Sequence, residues 1–75
     1  MIKIEDNDGS YLLNPNNIDY VEAKDSDNTI GQTYWLIIHL KTGNILKLTY
    51  NKLNARNNRE KVYEELYKTL KKGNE

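Results

Sequence analysis

The sequence predicts an α+β fold: a small curved antiparallel β-meander of about five strands with one C-terminal α-helix packed on one face. Two observations carry this. Short apolar runs with period-two alternation, separated by turn residues, fill the first two thirds of the chain. One stripe at steps of three and four fills the last third. The resulting order is βββββα, with no internal repeat and no linker, so residues 1–75 are expected to form a single domain.

Each element has its own signal. "MIKIE" alternates, with Ile2 and Ile4 on one side, and reads as a first strand. Asp8-Gly9 marks a hairpin, because glycine accepts the positive φ of a tight turn. "SYLLN" returns as the second strand. Pro15 ends it, since proline donates no ladder hydrogen bond, and "NPNN" turns the chain. "NIDYVEAK" is the third strand. Ile18 and Tyr20 fall on one face and Val21 and Ala23 on the other, a slip of one that marks a bulge. Residues 25–32 are polar and read as a loop. The fourth strand runs from about Thr33 to Lys41. "KTGN" turns through Gly43, and Ile45 to Tyr50 is the fifth strand.

The helix stripe comprises Ala55, Arg59, Val62, Tyr63, Leu66, Tyr67 and Leu70. Its start falls between 52 and 58. Asn57 to Glu60 resembles a capping box, but a start near 52–54 brings Ala55 into the stripe and is preferred. Gly73 is placed to stop it. Leu36, Ile38, Leu48, Leu66 and Leu70 form the expected core.

The fourth strand is unusual in being apolar on both sides. Tyr34, Leu36, Ile38 and Leu40 face the helix. Trp35, Ile37 and His39 face away, joined by Ile45 and Lys47 from the fifth strand. Covering Trp35 and Ile37 would remove roughly 250 Å² from water, about 6 kcal/mol before association costs. Three covers compete: a second copy of the chain, the chain itself if the sheet curls into a barrel and the N-terminal hairpin or the 25–32 loop covers Trp35, or a foreign partner with Trp35 as anchor. A homodimer ranks first, because a small domain without staples gains from association.

Composition narrows the function. There is no cysteine, so no disulfide and no thiolate metal site, and a single histidine argues against a zinc site. No cofactor is implied. No apolar run reaches membrane-span length, and the acidic "MIKIEDNDGS" lacks a signal-peptide core. A cytoplasmic location is expected. Formal net charge is zero, which weighs against general nucleic-acid binding. The charges are segregated: residues 1–30 carry two lysines against seven acids, and residues 31–75 carry nine bases against four acids.

Catalytic motifs are weak. Counted from Asp25, a calcium loop would need glycine where Ile30 stands and glutamate where Leu36 stands. His39 has no serine or cysteine pattern beside it. The four glycines are isolated, so there is no phosphate loop. The chain is therefore expected not to be an enzyme.

Residues 1–22, "MIKIEDNDGSYLLNPNNIDYVE", resemble the start of short flagellar FlbD/SwrD-type proteins through Met1, Ile2, Gly9, Leu13, Asn14, Pro15, Ile18 and Glu22. The 25–32 loop and the longer helix depart from that pattern. The second half is similar to small uncharacterised bacterial and prophage proteins in which a short sheet precedes a helix. Both resemblances imply a non-enzymatic cytoplasmic accessory protein and supply no catalytic residue. The expected function is a small interaction or regulatory protein that self-associates. The alternative is a single-stranded nucleic-acid-binding module, with Trp35 and His39 stacking on bases and Lys47 and Lys41 meeting phosphates.

Overall fold

A computed structural model describes residues 1–26 and 32–73. It contains five antiparallel strands and one helix: β1 (Ile2–Glu5), β2 (Ser10–Leu13), a 3₁₀ turn (Pro15–Asn17), β3 (Ile18–Asp25), β4 (Tyr34–Leu40), β5 (Ile45–Tyr50) and α1 (Ala55–Gly73). The fold class is the α+β arrangement expected. The predicted 25–32 loop falls largely on residues 27–31, which lie outside the described residues.

The strands divide into two sheets, β1-β2 and β3-β4-β5, and do not close into a barrel. The division has a local cause. Asn14 Oδ1 accepts from the Asn16 N–H at 3.0 Å, and Pro15 opens a short 3₁₀ turn. That turn redirects the chain after β2, so β3 pairs with β4 alone. The bulge appears between Ile18 and Tyr20. It leaves Ile18 in the core while Tyr20 is half exposed on the opposite face.

The first hairpin turns by a different device from the one expected. Gly9 does not adopt a positive φ. Instead, Asp6 Oδ1 accepts from the N–H groups of Asp8 and Gly9, both at 2.9 Å, and the Asp6 N–H donates to Gly9 O. The same Asp6 docks the hairpin on the edge of β5. Its Oδ2 accepts from the Thr49 N–H at 3.0 Å, and the Asn7 N–H donates to Thr49 O at 3.1 Å. Gly43 does take the left-handed region, at φ 95°, in the β4–β5 turn.

The core lies between the three-stranded sheet, the hairpin and α1. Ile4, Ile18, Leu36, Ile38, Leu48, Tyr50, Ala55 and Leu66 are buried. Leu70, expected among them, is half-buried against this cluster, as are Val62 and Tyr63. Tyr50 is buried and donates its hydroxyl hydrogen to Glu5 O at 2.6 Å. Burial, aided by the charge of nearby Asp6, pushes that hydroxyl well above its ordinary pKa. Helix α1 begins at Ala55 because Asn54 sits at φ 61°, a conformation that no helix interior admits.

Arg59 is the one buried charged residue among those described. Its guanidinium donates to Lys24 O at 3.0 Å, to the Asp25 carboxylate and to Glu60 Oε1, and lies over the Tyr34 ring. Burial alone would lower its pKa. The hydrogen bonds to Glu60 and Asp25 outweigh burial and hold it above the ordinary value. The group fastens the first turns of α1 to the end of β3.

Candidate interaction face

One face of the β3-β4-β5 sheet packs against α1 and the hairpin. The opposite face is built from three cross-strand rungs, fixed by register. Tyr20, His39 and Ile45 form the first; Glu22, Ile37 and Lys47 the second; Lys24, Trp35 and Thr49 the third. All five candidate residues, Trp35, Ile37, His39, Ile45 and Lys47, therefore lie together on this face. None belongs to the buried cluster or packs against it.

The face is apolar along its centre and charged at its sides. Trp35, Ile37 and His39 run down the middle strand and are half-buried, while Ile45 is 60% exposed. Lys47 reaches over the Trp35 ring, with Nζ 4.8 Å from its centroid. His39 Nε2 donates to Glu22 Oε1 at 2.5 Å. The Tyr20 ring stacks on the imidazole at 4.0 Å between centroids and 11° between planes. Each polar group on the middle and first rungs thus has a neighbour that fixes its position.

Glu22 and Tyr20 were not among the candidates read from the sequence. The slip at Ile18 to Val21 was the only signal that could have placed them, since it moves both to the face of Trp35 once β3 pairs with β4. Lys41, assigned to phosphate contact in the nucleic-acid reading, sits apart: its backbone N–H donates to Asn17 O beyond the end of β4. The hairpin does not cover Trp35; its buried Ile4 lies in the core on the other side. Any cover from residues 27–31 lies outside the described residues.

The polar side chains of this face are those of Tyr20, Glu22, Lys24, His39, Lys47 and Thr49. Its only hydroxyls are on Tyr20 and Thr49, and the His39–Glu22 pair has no serine or second histidine beside it. Among the described residues no group of three His, Cys, Asp or Glu side chains could hold a metal ion. Concave regions among the described residues include a groove of about 530 Å³ between β1 and α1, and one of about 350 Å³ between β3 and α1, where Tyr20 at the border of the face meets Tyr63 and Tyr67. No helix among the described residues is long and apolar enough to cross a membrane. No protein-family model matches the chain, and neither does any curated protein or solved structure.

Proposed function

We propose that the protein is a non-catalytic interaction protein that self-associates through the open face of β3, β4 and β5. The observation that carries this is the middle rung, Glu22–Ile37–Lys47, with an acid on one outer strand, a base on the other and an apolar residue between. In a face-to-face pair with its two-fold axis along β4, β3 of one copy lies over β5 of the other. Glu22 then faces the partner copy's Lys47, twice, and Ile37 meets its own mate. An axis across the strands would instead oppose like charges. The face is thus complementary to itself in one orientation.

Size sets the strength. Three rungs across three strands span about 14 by 20 Å, below the standard interface, so association is weak and concentration-dependent. The same residues are poorly presented for single-stranded nucleic acid. Lys47 already lies on Trp35 and Tyr20 already lies on His39, so neither ring stands free as a stacking platform. We place the protein among cytoplasmic accessory proteins, on its lack of cysteine and the resemblance carried by residues 1–22.

Sedimentation over a concentration series tests the proposal. Wild type should grow in average mass toward hundreds of micromolar, and Trp35→Ala should remain monomeric. Wild type that is monomeric throughout, or Trp35→Ala that associates equally, overturns it.

A further inference from the structure

A second surface lies away from the Trp35 face, along β1. One edge of β1 pairs with β2. The turn bond from Asp6 N–H to Gly9 O fixes the alternation along this ribbon. Ile4 bonds with Tyr11 and Ile2 with Leu13, so the backbone groups of Lys3 and Glu5 point away from β2. Two contacts agree with this parity. Glu5 C=O accepts from the Tyr50 hydroxyl, and Asn7 N–H, two residues on, reaches Thr49 O. Beyond that crossing no further strand lies beside β1 among the described residues. Lys3 N–H, Lys3 C=O and Glu5 N–H have no hydrogen-bond partner among the described residues.

These three groups open on the groove of about 530 Å³, whose far wall is α1. Buried Ile4 and Tyr50 and half-buried Val62 line its apolar part. Lys3 and Glu5 stand along the strand side, where Lys3 Nζ lies 3.5 Å from Glu5 Oε1 in an exposed pair, each side chain 63% exposed, that a ligand's charges would exchange for their own. Lys61 and Glu65 stand on the helix side. An exposed strand edge facing a helix across a narrow trough is the geometry in which an extended peptide adds as a further strand. Backbone bonds supply the affinity there, and alternate side chains supply the specificity.

We propose that this groove binds an extended peptide segment of a partner protein, antiparallel to β1, with the pattern Lys–apolar–Glu. The pattern follows from register. In an antiparallel pair the ligand residues meet Glu5, Ile4 and Lys3 in that order. A ligand lysine then faces Glu5, a ligand glutamate faces Lys3, and the residue between lies beside Ile4 on the apolar side, toward Val62. Slipping by one residue would turn the apolar side chain to solvent and the charges into the trough. Slipping by two would lose both charge pairs and set one ligand charge against a like charge, at Lys3 or at Glu5. The chain's own β1 reads Lys3-Ile4-Glu5 and would satisfy the pattern. A second copy, however, would bring β2 alongside β1, a ribbon two strands wide, into a groove whose far wall is formed by Asn58, Lys61, Val62 and Glu65 of α1, whereas an extended peptide brings one strand.

The probe is a short, end-capped peptide centred on Lys-Val-Glu, titrated into the full chain while backbone amide resonances are followed. Saturable shifts at the Lys3 and Glu5 amides are expected. A peptide centred on Glu-Val-Lys should bind about tenfold more weakly, as two attractive facing pairs become repulsive. The protein variant with Lys3→Glu and Glu5→Lys should reverse that preference, and both positions are exposed enough to leave the fold intact. Trp35→Ala should bind the peptide as wild type does, so failure of the self-association reading leaves this result standing. Lys3 and Glu5 amides that stay fixed at millimolar peptide overturn the proposal, as does equal binding of the two peptides. Shifts at these amides that follow protein concentration without peptide also overturn it, in favour of a second copy.

Discussion

Replacing Leu66 with alanine probes the core at its centre. Leu66 is fully buried on α1, in the cluster with Leu36, Ile38 and Leu48. The substitution removes three carbon atoms, about 2.4 kcal/mol of transfer free energy at roughly 0.8 kcal/mol per methylene. The residual cavity raises this toward the observed range of about 2.7–5 kcal/mol. A chain of 75 residues has only about 4–11 kcal/mol of total stability. A loss near 3 kcal/mol therefore lowers the thermal midpoint by about 12–24 °C. The assay is thermal melting followed by far-ultraviolet circular dichroism. Tyr67→Ala is the control: it lies one position further along the same helix and is 60% exposed. It should melt within a few degrees of wild type. If Leu66→Ala and Tyr67→Ala melt together, the helix face assigned to the core is wrong.

Three further outcomes are expected. Arg59→Met removes the bonds to Lys24 O and the Asp25 carboxylate; because Asp25 and Glu60 are half exposed, the loss is screened to about 1–3 kcal/mol, read from urea denaturation, and an unchanged midpoint would show that the cluster does not fasten α1. Tyr50 has its folded-state pKa raised above its ordinary 10.0, so its contribution is complete below about pH 10 and is lost as pH rises further; wild type should lose stability more steeply there than Tyr50→Phe, and parallel curves would contradict the burial argument. Mixed-sequence single-stranded DNA at low salt should leave Trp35 fluorescence unchanged, and salt-sensitive quenching would restore the nucleic-acid reading.

The parts of this fold that depend on local pattern were legible in the sequence. The alternation in "MIKIE" and "TYWLIIHLKT", the stripe from Ala55 to Leu70 and the slip at Ile18 each produced the element expected of them. Contacts between residues far apart in the chain were not legible. Asp6 reads as an ordinary turn residue, yet it holds Thr49 across 43 positions and replaces the expected positive-φ glycine. Arg59 read as a member of the helix stripe, but only the end of β3 explains why a guanidinium is buried there. The meander split into two sheets because Asn14 and Pro15 turn the chain rather than merely ending a strand.

The candidate face shows the same limit. Its apolar centre, Trp35 and Ile37, was evident from alternation alone. Its charged sides were half evident, because Lys47 lies on a strand with clear period but Glu22 lies beyond a bulge. The consequence is chemical. His39 read alone would be a lone polar ring on an apolar strand, whereas Glu22 holds its Nε2 from the neighbouring strand.

Self-pairing of the face through Glu22 and Lys47 is tested most directly by charge exchange. Wild type, Glu22→Lys, Lys47→Glu and the double variant are compared by sedimentation across one concentration series. Each single variant sets like charges against each other at both symmetric positions and should weaken association by about tenfold. The double variant restores opposite charges across the two-fold and should associate as wild type does. Single variants that associate unchanged, or a double variant that stays as weak as the singles, would contradict a face that is complementary to itself.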